Sequence, residues 1–127
     1  MQDEPTPEEL IRAVADFLRN DIAPVIGGHD AFKLRVSINA LDLVTRQLAL
    51  EQASDSAEKA RLEELLGRQG SLGELNRMLA ERIAKGEVDL QTPGLTGHLW
   101  QTTMDKLAVD QPNYASYRRE LEKKGNA

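Results

Sequence analysis

Apolar residues recur every three or four positions along most of the chain, which is the spacing of one face of an α-helix. The first such stretch opens with a capping box, in which Thr6 can cap the helix, Pro7 suits its first position and Glu9 can bond back to the cap. Its apolar stripe consists of Leu10, Ile11, Val14, Phe17 and Leu18. Pro24 and the Gly27-Gly28 pair predict a turn after it.

The stretch from Asp30 to Leu50 carries apolar residues on two opposite sides, and Asp30 is a good N-cap for it. One flank consists of Phe32, Val36, Leu43 and Leu50. The other flank consists of Leu34, Ile38, Leu41 and Leu48. A helix that is apolar on both sides usually lies buried between others. We therefore predict a buried central helix over residues 30–50.

Cap and stop residues divide the next part of the chain. Ser54-Asp55-Ser56 predicts a break after the central helix, and Gly67 stops the short helix that follows. Ser71-Leu72-Gly73-Glu74 is a second capping box, and Gly86 ends the helix that it starts. Each of these segments is too short to bury its own apolar stripe, so they must pack together.

The last part begins with Thr92-Pro93, which predicts a helix to about Asp110 that Pro112 stops. A final short helix carries Tyr114, Tyr117 and Leu121. No strand-like alternation of any length occurs. The pattern therefore predicts an all-α fold, an irregular bundle of five to six helices, in one domain over residues 1–127 with flexible ends at 1–5 and 122–127.

Composition and charge exclude some kinds of chemistry and make some kinds of partner unfavourable. The chain has no cysteine, which excludes disulfides and thiolate chemistry. Its 16 basic and 21 acidic residues leave a net charge of −5, so nucleic acid and anionic membranes are poor partners. The N-terminus lacks the basic start and apolar stretch of a signal peptide. We expect a cytoplasmic protein.

A narrow polar stripe runs between the two flanks of the central helix, and it is the first candidate site. It consists of Arg35, Asn39, Asp42 and Arg46. In one interpretation the stripe is satisfied internally, with Asp42 between the two arginines. In the other, one arginine faces a cleft or partner and binds a carboxylate or phosphate.

A second candidate interface combines Trp100 with Tyr114 and Tyr117, because Trp and Tyr are enriched at binding hot spots. The alternative, favoured in a chain with so few aromatics, is that Trp100 lies in the core. Neither His29 nor His98 has further ligands at metal-binding spacing, so we predict no metal and no cofactor. We find no catalytic set; a general base at Asp42 or His29 would lack a nucleophile or cofactor beside it.

Ordered sequence segments also indicate a family. They are Gln2-Asp3-Glu4-Pro5, Glu9-Leu10, Ala13-Val14, Phe17-Leu18, Ala31-Phe32-Lys33-Leu34-Arg35-Val36, Asn39-Ala40-Leu41, Arg46-Gln47-Leu48 and Leu107-Ala108-Val109-Asp110-Gln111-Pro112-Asn113-Tyr114. Together they resemble a small bacterial family of domains of unknown function. The chain departs from that pattern at Ser37-Ile38, where small residues are expected, and at Gln111, where asparagine is expected.

Members of that family accompany aminoglycoside-phosphotransferase-like kinases and acyl-CoA dehydrogenases. The resemblance therefore implies a non-catalytic accessory subunit of such a kinase, in the catabolism of hydroxyacyl-CoA compounds. The alternative is a stand-alone module that binds an acyl-CoA or another anionic small molecule, with Arg35 or Arg46 as its anchor. A homodimer is a third possibility, since an apolar helix flank can pair with its own copy.

Overall fold

The computed structural model describes residues 3–125, and the fold of that part of the chain is all-α. Its five α-helices are α1 (Pro7–Phe17), α2 (Gly28–Leu66), α3 (Leu72–Ala84), α4 (Leu95–Asp110) and α5 (Ala115–Gly125). A π-helical turn (Leu18–Ile22) and a 3-10 turn (Ala23–Val25) connect α1 to α2. The predicted fold class is confirmed. Residues 1, 2, 126 and 127, which belong to the ends predicted to be flexible, lie outside the described residues.

Both predicted capping boxes are present. The Glu9 amide donates to the Thr6 hydroxyl at 3.2 Å, and the Thr6 amide donates back to the Glu9 carboxylate at 3.2 Å. At the start of α3, the Glu74 amide donates to Ser71 at 3.2 Å and the Ser71 amide donates to Glu74 at 3.1 Å. Each box satisfies amides that the first helical turn leaves without a partner.

The break predicted at Ser54-Asp55-Ser56 is wrong, because α2 runs through it as one helix of 39 residues. Serine and aspartate cost a helix interior at most about 0.7 kcal/mol each relative to alanine. They favour a cap only where the backbone actually ends. The first residue with a positive φ after Gly28 is Gly67, at 65°, and there α2 stops. The continuous backbone hydrogen bonds of α2 therefore outweigh the weak capping preferences of Ser54, Asp55 and Ser56.

The chain forms two compact units, one up to Leu50 (unit 1) and one from Glu51 (unit 2). Unit 2 holds an apolar core made of Leu62, Leu66, Leu75, Leu79, Val88 and Leu95. Leu62 and Leu75 are completely buried in it. The core thus joins the last turns of α2 to α3 and to the start of α4. The predicted single domain stays a prediction.

Unit 1 contradicts the prediction that residues 30–50 are buried on both sides. Ile38 is 5% exposed and Leu34 and Leu41 are half-buried, so this part of their flank is covered, whereas Leu48 on the same flank is 42% exposed. On the opposite flank, Phe32 is 54%, Val36 52% and Leu50 39% exposed. Burial of each flank needs a neighbouring element, and the described residues before α2 form one α-helix of 11 residues and two short helical turns. The flank of Phe32 and Val36 is therefore largely in contact with water, and the flank of Ile38 is covered only as far as Leu41.

No helix among residues 3–125 combines the length and the apolar character that crossing a membrane requires. This includes α2, which is long enough at 39 residues but carries charged side chains along its whole length.

The continuity of α2 predicts the effect of a proline at Asp55, an exposed position in the middle of the helix. Asp55→Pro removes a backbone hydrogen bond and should lower the free energy of unfolding by about 3 kcal/mol. Asp55→Ala, the matched control, should change it by less than about 0.5 kcal/mol. Urea unfolding followed by circular dichroism measures both. Equal stability of the two variants would mean that the helix is interrupted there.

Candidate functional site

The structure places the polar stripe of α2 partly in water. Arg35 and Asn39 are exposed, and Asp42 and Arg46 are half-buried. The Asp42 carboxylate accepts a hydrogen bond of 2.6 Å from the Arg19 guanidinium. The partner of Asp42 is thus an arginine from the π-helical turn, 23 residues away and outside the stripe.

Arg19 contacts a second carboxylate, that of Asp16, at 2.9 Å. The hydrogen bond and the charge of Asp42 raise the pKa of Arg19, with a smaller effect from Asp16. Arg19 is cationic at any physiological pH, with or without this shift in its pKa. Its side chain is 43% exposed, so salt screens the pair and its contribution to stability is modest. Arg19 offsets part of the Asp42 charge, but because it also binds Asp16, the group of three side chains keeps one net negative charge.

The three aromatic candidates do not share one environment. Trp100 and Tyr114 are each 50% exposed, whereas Tyr117 is buried. The expectation that Trp100 lies in the core is therefore wrong. The buried side of α4 is taken by Leu95, His98 and Met104, and Trp100 lies two residues from His98, on a different face of the helix. Trp100 and Tyr114 remain available as interface residues.

A polar cluster that the sequence analysis missed joins α2 to α4. His98 is only 4% exposed, and its Nδ1 accepts a hydrogen bond of 3.3 Å from Arg61 Nε. Arg61 Nη2 donates to the Thr102 hydroxyl at 3.3 Å and lies 3.9 Å from Asp105. Asp105 in turn accepts a hydrogen bond of 2.8 Å from Gln101. The half-buried guanidinium is therefore surrounded by partners from a single helix.

One signal could have found this cluster. His98, Gln101, Thr102 and Asp105 follow the spacing i, i+3, i+4 and i+7, which is a polar stripe on one face of α4. No local signal indicates Arg61, which lies 37 residues from its histidine partner.

The geometry fixes the protonation state of His98. Because Nδ1 accepts a hydrogen bond, the ring proton lies on Nε2 and the imidazole is neutral. Burial lowers the pKa of His98, and the positive charge of Arg61 lowers it further, while Glu58 has a smaller opposite effect. A protonated ring would lose its acceptor and would place a second cation against Arg61.

Arg61 and His98 line an open pocket of about 550 Å³ between α2 and the start of α4. The other lining residues are Glu64, Leu65, Pro93, Gly94 and Gly97. The pocket offers hydrogen-bond donors from Arg61 and His98, but Glu64 adds a carboxylate to the same wall. Within residues 3–125, no group of three or more His, Asp and Glu side chains is placed to hold a metal ion.

A family model described as a domain of unknown function, DUF6285, matches residues 24–114. The chain belongs to the DUF6285 family. The resemblance to a family of domains of unknown function is confirmed to that extent. The DUF6285 match includes α2, α3 and α4 with the polar stripe and the Arg61–His98 pocket, and leaves out α1 and α5. No curated protein and no solved structure matches the chain.

Burial of His98 predicts how the stability of this DUF6285 protein depends on pH. The pKa of His98 is lowered on folding from its ordinary value of 6.5, so the unfolded chain binds the proton more readily. This contribution to stability is complete above pH 6.5 and is lost as the pH falls below that value. Urea unfolding at pH 7.5 and 5.5 should show a smaller decrease for His98→Gln than for the unmodified chain.

The exposed residue His29 provides the matched control for this measurement. The variant His29→Gln should keep the pH dependence of the unmodified chain. A His98→Gln variant whose stability falls with pH as steeply as that of the unmodified chain would show that His98 is not the group responsible.

Proposed function

We propose that this DUF6285 protein is a cytoplasmic, non-catalytic accessory subunit of an aminoglycoside-phosphotransferase-like kinase. The kinase works with an acyl-CoA dehydrogenase in the catabolism of hydroxyacyl-CoA compounds. In this proposal the kinase supplies the whole apparatus of phosphate transfer, and this chain binds and shapes it. The class of partner comes from the family resemblance, and the structure supports the more general part, a protein-binding role.

The supporting observation is the apolar surface that unit 1 leaves exposed. On α1, Leu10, Val14 and Phe17 share one stripe and are 44%, 51% and 54% exposed. On α2, Phe32 and Val36 are exposed to the same degree. Exposed apolar side chains grouped on one helical stripe are typical of protein-binding surfaces, and a partner that covered them would gain about 25 cal/mol per Å² of buried apolar area.

Co-expression with an aminoglycoside-phosphotransferase-like kinase from the same genome tests the proposal. The two proteins should co-purify, and the kinase should turn over its substrate differently with and without this chain. The double variant Phe17→Asp/Phe32→Asp should reduce recovery of the kinase at least tenfold, because it places two charges in the apolar surface.

The control is Leu90→Asp, which places a charge at an apolar residue that is 76% exposed in unit 2. This variant should recover the kinase as the unmodified chain does. The proposal fails if the two proteins never co-purify and kinase turnover is the same in the presence and absence of this chain.

A second candidate function is the binding of an acyl-CoA or another anionic small molecule. The pocket that favours it is that of Arg61 and His98, not the neighbourhood of Arg35 or Arg46 that the sequence suggested. Glu64 and Asp105 oppose an anion there, so this function stands second. Calorimetric titration with acyl-CoA thioesters should release heat if it is right, and flat titrations across several chain lengths exclude it.

A further inference from the structure

The exposed flank of α2 has the spacing of a coiled coil. Val36, Leu43 and Leu50 lie seven residues apart, and Phe32 precedes Val36 by four. In the heptad notation abcdefg, the first three occupy position a and Phe32 occupies position d. The other two d positions hold polar residues of the stripe. We call the resulting row the seam; it consists of Phe32, Val36, Asn39, Leu43, Arg46 and Leu50.

The seam is open enough to accept another element. Phe32, Val36 and Asn39 are exposed, Leu50 is 39% exposed, and Leu43 is half-buried. The 18 steps from Phe32 to Leu50 span about 27 Å of helix axis. Because the row repeats every 3.5 residues, it stays on one side of α2 over that length, and a second helix can lie along it.

Charged side chains beside the seam favour one kind of partner. Lys33 occupies an e position and Arg35 a g position, and both are exposed. The carboxylate at the next g position is Asp42, and Arg19 already binds it at 2.6 Å. The borders of the seam beside Phe32 and Val36 are therefore basic, on a protein whose net charge is −5. Residues at e and g set the choice of partner in coiled coils through interhelical charge pairs.

We infer that the seam binds an amphipathic helix of a partner protein, about three heptads long, whose apolar stripe is bordered by acidic side chains. The inference rests on the proposed protein-binding function and adds the surface and the chemistry of the partner. A second copy of this chain would present the same basic borders instead of acidic ones, so the charges do not favour it.

Two fluorescent helical peptides of 21 residues test the inference. They share a leucine stripe at a and d and differ only at e and g, which are Glu in one and Lys in the other. Fluorescence anisotropy with the full chain should show that the Glu-bordered peptide binds at least tenfold more tightly. Added salt should reduce the difference, because these borders are exposed. The double variant Lys33→Glu/Arg35→Glu should reverse the preference.

Loss of the apolar contact is tested separately. Phe32→Asp should weaken both peptides, and Leu90→Asp should leave both unchanged. Equal binding of the two peptides, or binding of neither, overturns the inference. It is also overturned if sedimentation shows a dimer of the unmodified chain that Phe32→Asp dissociates, because the occupant would then be a second copy.

The kinase experiment separates this inference from the proposed function. If the kinase co-purifies with Lys33→Glu/Arg35→Glu as it does with the unmodified chain, and the peptides do not differ, the accessory role stands and the seam inference fails. If the peptides differ as expected but no kinase is recovered, the seam stands and the kinase is the wrong partner.

Discussion

Burial of Leu62 and Leu66 beside Leu75 and Leu79 is the contact on which the described structure most depends. Each fully buried leucine contributes about 1.5–3 kcal/mol, and these four join the last turns of α2 to α3. Because α2 is one uninterrupted helix, the turns fixed in this core belong to the same element as the exposed seam. The two parts of α2 differ in how far neighbouring elements cover their apolar side chains.

The polar interactions also differ between the covered and the exposed parts of the structure. In unit 2, the half-buried Arg61 is bonded by two side chains of α4, and the buried His98 stays neutral so that it can accept one of those bonds. In unit 1, Arg19 and Asp42 form an exposed pair that leaves Lys33 and Arg35 as the charged borders of the seam. The first arrangement stabilises the fold, and the second sets the charge of a surface that we assign to binding.

Local signals predicted local structure well. The capping boxes at Thr6 and Ser71 and the stop at Gly67 are where the sequence placed them, because each depends on residues within one turn. The prediction of a break at Ser54-Asp55-Ser56 was wrong because it, too, depended only on residues within one turn. Cap residues in the middle of a strong helix resemble those at its end, and only the continuous backbone hydrogen bonds distinguish the two cases.

Features that depend on distant parts of the chain were beyond the sequence. The apolar spacing of residues 30–50 showed two apolar flanks, but it could not show which parts of each flank a neighbouring element covers. The pairs Arg19–Asp42 and Arg61–His98 connect residues 23 and 37 positions apart, and no spacing rule links them. In the stripe predicted on α2, Asp42 therefore bonds an arginine that the sequence did not indicate, and the α4 cluster was missed.

The one-sided exposure of α2 is tested most directly by cysteine reactivity, which is practical because the chain has no cysteine of its own. Phe32→Cys, Val36→Cys and Ile38→Cys would be prepared singly, and the reaction of each thiol with a disulfide reagent followed at low protein concentration. The thiols at positions 32 and 36 should react roughly 100-fold faster than the thiol at position 38, which opens only through local unfolding. Equally slow reaction at all three positions would show that the chain covers the seam itself, and would contradict a free binding surface on α2.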